Sequence, residues 1–120
     1  MSEPRILDHT ALIALFDGSS RAFDLWEKAD QDLLTLILPT AAVAEANHVL
    51  GGTIDTWRAV LDPPRVIVTP LDLSTAIDSA PQSGTLAVRH VIHEARQVRG
   101  AIITRAPWQY PTDGPPVRTV

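Results

Sequence analysis

Thr85-Leu86-Ala87-Val88-Arg89-His90-Val91-Ile92-His93-Glu94-Ala95-Arg96-Gln97-Val98-Arg99-Gly100-Ala101-Ile102-Ile103-Thr104 is the stretch that decides the fold. Val88, Val91, Ile92, Ala95 and Val98 recur on one helical stripe, Gly100 stops it, and Ala101 to Thr104 follows as a short apolar strand. A helix that feeds straight into a strand without polar alternation is a unit of a parallel sheet covered by helices. Upstream, the same alternation repeats. Arg5-Ile6-Leu7 reads as a strand ending at Asp8, and Thr10 opens a short helix that closes at Gly18. Ser19-Ser20 caps an amphipathic helix carrying Ala22, Phe23, Trp26, Ala29 and Leu33. Leu33 to Leu38 reads as a second strand bounded by Pro39, followed by a helix capped by Thr40 (41–50) and another from Thr53 to Leu61. Arg65 to Thr69, rich in β-branched residues, is a third strand, and Asp72 begins a weak helix that runs to about Pro81. Beyond Thr104, residues 105–116 are dominated by proline and glycine, and Val117 to Val120 forms a final edge strand. The expected architecture is α/β in three layers, a mostly parallel sheet of four to five strands with helices on both faces, in one domain over residues 1–120.

Composition narrows the function classes. The chain has 120 residues, 45% of them hydrophobic and 20% charged, which is enough for one core. It has no cysteine, so disulfides, thiolate nucleophiles and zinc ribbons are excluded and a cytoplasmic location is the default expectation. Met1-Ser2-Glu3-Pro4-Arg5 contains no apolar signal region, and no later stretch reaches the roughly 18 apolar residues of a bilayer span, so no membrane role is expected. The net charge of −4 hides a split. Residues 1–83 carry five Arg/Lys against twelve Asp/Glu, whereas residues 84–120 carry five Arg against Glu94 and Asp113, giving −7 and +3. That places a local basic region in an acidic protein.

In an open parallel sheet, ligands bind beyond the carboxyl ends of the strands. The residues there are Asp8-His9-Thr10, Pro39-Thr40 with Glu45 shortly after, Thr69, and Thr104-Arg105-Ala106. Ile6 to Leu15, Pro39 to Glu45, Leu86 to Ala95 and Ile102 to Pro107, taken together, resemble the PIN domain family, nearest to the toxin-like ribonucleases of bacterial toxin–antitoxin pairs. The likeness extends over nearly the whole chain. It implies a magnesium- or manganese-dependent endoribonuclease in which acidic side chains at the strand ends hold the metal, because hard cations take oxygen ligands. Carried over by position, Asp8 is the first acid, Glu45 the second, and Thr104 the accompanying hydroxyl. The two further acids are replaced by Val88 and Ala106, which have no atom that binds a cation. The expected centre is therefore a remnant, Asp8 and Glu45 supported by Thr104, holding Mg or Mn weakly or not at all. Another donor set, Asp8, His9, Glu45 and His48, would suit zinc or manganese; the alternative for the histidines is a surface or hydrogen-bonded role.

The basic region supplies candidate nucleic-acid contacts. Arg89, His93 and Arg96 share one helical face with Arg99 a turn further, Arg105 follows the next strand, and Trp108 and Tyr110 offer rings for unpaired bases. The alternatives are a solvated arginine face paired with Glu94, and a loop pinned to the core or to a second subunit. Phe23 and Trp26 are assigned to core or interface packing. Three functions remain open: a degenerate PIN-like module binding RNA or a protein such as an antitoxin, an active toxin-type Mg/Mn endoribonuclease, and a structural homodimer.

Overall fold

The computed structural model describes residues 3–120; Met1 and Ser2, part of the N-terminal stretch considered above, lie outside the described residues. Five strands, β1 (Arg5–Leu7), β2 (Leu36–Pro39), β3 (Val66–Thr69), β4 (Ala101–Thr104) and β5 (Val117–Thr119), form one sheet in the order β3-β2-β1-β4-β5. Every neighbouring pair is parallel. Helices α1 (His9–Phe16) and α2 (Ser20–Asp30) join β1 to β2, α3 (Thr40–Leu50) and α4 (Ile54–Leu61) join β2 to β3, and α5 (Leu73–Ser79) and α6 (Leu86–Val98) join β3 to β4. The chain steps outward from β1 to β3 and then crosses back past β1 to β4. Right-handed crossovers therefore send α1, α2 and α4 to one face and α5 and α6 to the other, while α3, starting at the carboxyl end of β2, packs against both α1 and α6. All of β2 and β4 is buried, as are Ile6 and Leu7, as strands covered on both faces require. The expected three-layer α/β architecture is what forms, with five strands and no antiparallel pair among the described residues.

Several boundaries differ from expectation for local reasons. Asp8, not Thr10, caps α1: its carboxylate accepts the Ala11 N–H at 2.9 Å, the third amide of the helix. Leu33 belongs to the end of α2 rather than to a strand. Asp32 turns left-handed at φ 66°, and the Leu33 N–H reaches back to the Lys28 carbonyl at 2.8 Å, closing the helix and leaving Leu33 exposed. Thr40 lies inside α3, where its hydroxyl accepts the Leu71 N–H at 3.0 Å and ties the end of β2 to the loop after β3. Gly100 separates α6 from β4 because a Cβ there would lie 2.5 Å from Ile6 Cδ1 and 2.7 Å from the Pro4 carbonyl oxygen.

A buried indole that periodicity did not single out anchors the α1–α4 layer. Trp57 meets Phe16 edge to face at 4.8 Å and donates from Nε1 to Asn47 Oδ1 at 3.0 Å. Asn47 in turn clamps Gly52 through two backbone hydrogen bonds, fixing the α3–α4 turn. Trp26 is half-buried and donates to the Val60 carbonyl at 3.0 Å, while Phe23 stacks on it and stays 47% exposed. Trp57→Ala is expected to cost about 3–5 kcal/mol, as for other large-to-small aromatic truncations, measured as a lower urea midpoint with an unchanged slope.

Candidate functional site

The strand order reverses between β1 and β4, so their carboxyl ends flank the crevice where such sheets place ligands. Here that crevice is filled by a hydrogen-bond network. Asp8 follows β1 and has no exposed surface. Its Oδ1 accepts the Thr10 hydroxyl at 2.6 Å and the Ala11 N–H at 2.9 Å, and its Oδ2 accepts the Tyr110 hydroxyl at 2.8 Å. Thr10 Oγ1 lies 3.1 Å from Thr104 Oγ1, the last side chain of β4. A threonine has one hydroxyl proton, and Thr10 commits it to a carboxylate that, when ionised, only accepts. Thr104 is therefore the donor in the pair, and its oxygen is left to accept the Ala106 N–H at 2.9 Å. Thr10 also accepts the Arg105 N–H at 2.8 Å. Donors thus run in one direction, from the backbone after β4 through Thr104 and Thr10 to Asp8.

Tyr110 completes the enclosure. It follows the short turn Pro107–Gln109, is 94% buried, and packs in the same apolar cluster as Val88. Burial, reinforced by the adjacent Asp8 charge and hydrogen bond, raises its hydroxyl far above the usual phenol range, so it stays protonated and a donor at neutral pH. Tyr110 is therefore a structural partner of Asp8 and not a free stacking ring. Trp108, two residues earlier, is 80% exposed, and Arg105 is exposed at the same edge.

A second buried polar group lies near the carboxyl end of β2. His90, on the inner face of α6, has no exposed surface, and its Nδ1 accepts the Ala41 N–H of α3 at 3.4 Å. Its Nε2 lies 3.3 Å from Glu94 Oε1, off the line of a hydrogen bond. Glu94 thus turns inward to His90 rather than out to the arginines. Burial is the main cause of a lowered His90 pKa; the Glu94 charge and the Pro70 carbonyl oppose it, and His93 adds to it. The capping Asp72 of α5 also interacts with this imidazole through its charge. Neither the closed network nor the inward-facing His90 has a spacing signature; the apolar residues around position 90 were the only sequence sign of its burial.

The remaining sequence candidates are dispersed. Glu45 is exposed on α3, His48 is exposed a turn later, and His9 is half-buried at the start of α1. Val88 is 2% and Ala106 6% exposed, both apolar fillers. Arg89 donates to the Gly84 carbonyl at 2.8 Å near the start of α6, level with the edge that carries Arg105. Arg96 lies about 10 Å further along the helix, and Arg99 caps its far end in the left-handed region at φ 54°. Arg89, half-buried, and Arg105, exposed, therefore lie at the same end of the sheet, whereas Arg96 and Arg99 run toward the opposite one.

These donors do not fit a resident magnesium or manganese ion. Both oxygens of Asp8 are already occupied by protein donors, Glu45 faces solvent, and among the described residues no group of three or more His, Asp or Glu side chains is placed to hold a metal. No helix among the described residues is long and apolar enough to cross a membrane. No protein-family model and no curated protein matches the chain.

Two outcomes test this geometry. Tyr110→Phe keeps the ring and removes the donor to Asp8 Oδ2, so about 1.5–3 kcal/mol of stability is expected to be lost in urea unfolding, and Asp8→Ala, which also removes the α1 cap, is expected to cost less when added to Tyr110→Phe than when made in the native chain. For His90, the folded protein binds the proton less readily than the unfolded chain, whose imidazole titrates near 6.5. Its contribution is fully present above that pH and is lost as the pH falls toward the folded pKa. The urea midpoint is expected to fall between pH 7.5 and 5.5, and to fall less in His90→Gln, whose amide oxygen still accepts from Ala41.

Proposed function

We propose that the chain is a PIN-like domain in which neutral hydrogen-bond donors around Asp8 stand where the related ribonucleases hold metal, and that it binds single-stranded RNA without cutting it. The observation that carries this reading is the engagement of both Asp8 carboxylate oxygens by Thr10, Ala11 N–H and Tyr110 in a fully buried setting, which fills about three of its four acceptor sites and keeps it from a metal or an activated water. What remains accessible at the same edge is a cation and a ring: Arg105 for phosphate and Trp108 for a base. Arg89 adds charge at this end of the sheet.

A second reading, the homodimer, is favoured by one feature. β3 is an edge strand whose Ile67 and Val68 are exposed, and the following α5 exposes Leu73 and Ile77. Flanking prolines at 63, 64 and 70 limit strand-to-strand extension there, which makes α5 the better dimer contact. Leu73→Glu with Ile77→Glu should then convert a dimer to a monomer in sedimentation without affecting RNA binding.

The test of the first reading is titration of a single-stranded RNA oligonucleotide, followed by tryptophan fluorescence, with Mg, with Mn and with EDTA. Binding is expected to survive EDTA, to weaken about ten-fold in Trp108→Ala, and to weaken in Arg105→Gln with a smaller salt dependence. RNA cleavage by the native chain that Asp8→Ala abolishes would falsify it.

A further inference from the structure

We propose that the cavity between α2 and the β4–β5 side of the sheet, lined by Arg5, Arg21 and Arg118, binds the phosphate group of a small phosphorylated ligand. The sheet register builds this cavity. Arg5 pairs with Ala101 and Ile103 pairs with Arg118, and residues two apart on a strand share a face, so Arg5, Ile103 and Arg118 all project toward the α1–α2 side. The first turns of α2 add Arg21 and Asp24, and the cavity, open to solvent on one side, has a volume of about 240 Å³. That is roomy for a phosphate and part of the group that carries it, and too small for a folded partner.

The charges in this cavity are unbalanced. Arg5 and Arg118 share a single carboxylate, Glu3: Arg5 lies 3.5 Å from it, and Arg118 contacts the same oxygen. Asp24 is held by Lys28 at 3.1 Å, and among the described residues Arg21 has no ion-pair partner. Three guanidinium groups and Lys28 against Glu3 and Asp24 leave +2. Val120 also lines the cavity, and a terminal carboxylate at that residue would lower this to +1. The surplus is anomalous in its setting, because residues 1–83 carry −7, yet two of their five basic side chains converge here with Arg118 from the basic segment.

Arg21 is placed against local electrostatics as well. It is the second residue of α2, where the helix dipole disfavours a cation. An anion seated among the three arginines reverses that penalty, since it is attracted both to the guanidinium groups and to the helix start. Guanidinium forks match phosphate oxygens two at a time, and three of them supply more donors than a carboxylate accepts in one plane. Arg5, only 16% exposed at its side chain, is already held in place by the Glu3 carbonyl and carboxylate, so one donor is pre-positioned. This cavity is separate from the Asp8 crevice and does not rest on the RNA-binding reading.

The full chain is titrated with inorganic phosphate and with a nucleoside monophosphate, against chloride at matched ionic strength, by calorimetry and by amide chemical shifts. Binding is expected to shift the amides of Arg21 and Thr119, with at least ten-fold weakening in Arg21→Gln and in Arg118→Gln. Arg58→Gln, on an exposed α4 pair with Asp55, should bind as the native chain does. Arg21→Gln removes an exposed group and leaves the fold intact, so failure to fold does not confuse the result. Equal affinity for both ligands identifies the free ion as the occupant, and ten-fold tighter binding of the monophosphate identifies a phosphomonoester; either supports the site. No phosphate-specific binding, shifts confined to Arg105 and Trp108, or an equal loss in Arg58→Gln overturns it.

Discussion

The carboxylate of Asp8, with no exposed surface at the point where the strand order reverses, is the constraint around which the rest is arranged. A buried charge costs several kcal/mol unless each lone pair finds a donor. The donors come from three parts of the chain: the start of α1, the hydroxyl pair Thr10 and Thr104 across the β1–β4 crevice, and Tyr110 from the loop after β4. Satisfying one side chain therefore fixes where α1 begins, how β4 ends and how residues 105–110 fold back. The loop is rich in proline, but its placement is set by this polar contact.

Much of the architecture was legible because it rests on periodicity and on chain breakers. The stripe from Val88 to Val98 and the stop at Gly100 are local features, and they give α6 and β4 nearly as they form. The errors fall where a side chain serves a distant element. Thr40 has the composition of a cap, yet its hydroxyl is used by Leu71, thirty-one residues away. Leu33 has the composition of a strand residue, but Asp32 in the left-handed region makes it part of the α2 terminus. At the site, Asp8 was visible as an acid after a strand, whereas its state was not. Whether a carboxylate is open to a ligand or enclosed depends on Tyr110, 102 residues away, and nothing in the sequence near either residue signals that contact.

The charge split reads differently in three dimensions. The five arginines of the last third reach three places: Arg89 and Arg105 at one end of the sheet, Arg96 and Arg99 along α6 toward the opposite end, and Arg118 beside Glu3. A helix of thirteen residues spans about 20 Å, so cations that share one of its faces need not share one ligand. Sequence clustering overstated the size of any single phosphate track. It understated the cavity at β5, whose charge is assembled from residues 5, 21 and 118.

The apolar residues at 88 and 106 and the hydroxyl of Tyr110 form a consistent set. Several carboxylates gathered in one crevice repel one another, and burying them together requires a cation of matching charge. A single carboxylate has no such need, because neutral donors satisfy it in full. With valine at 88 and alanine at 106, those positions add no like charge to Asp8, and a metal would gain little from one acid. Under those conditions a tyrosine hydroxyl, held as a donor by its own burial, is the better partner. An acid at 88 alone would bring a second buried charge into the apolar cluster that holds Tyr110, with no donor reserved for it. Apolar residues at 88 and 106 and closure by Tyr110 therefore fit together, and opening the crevice to a cation requires changing both.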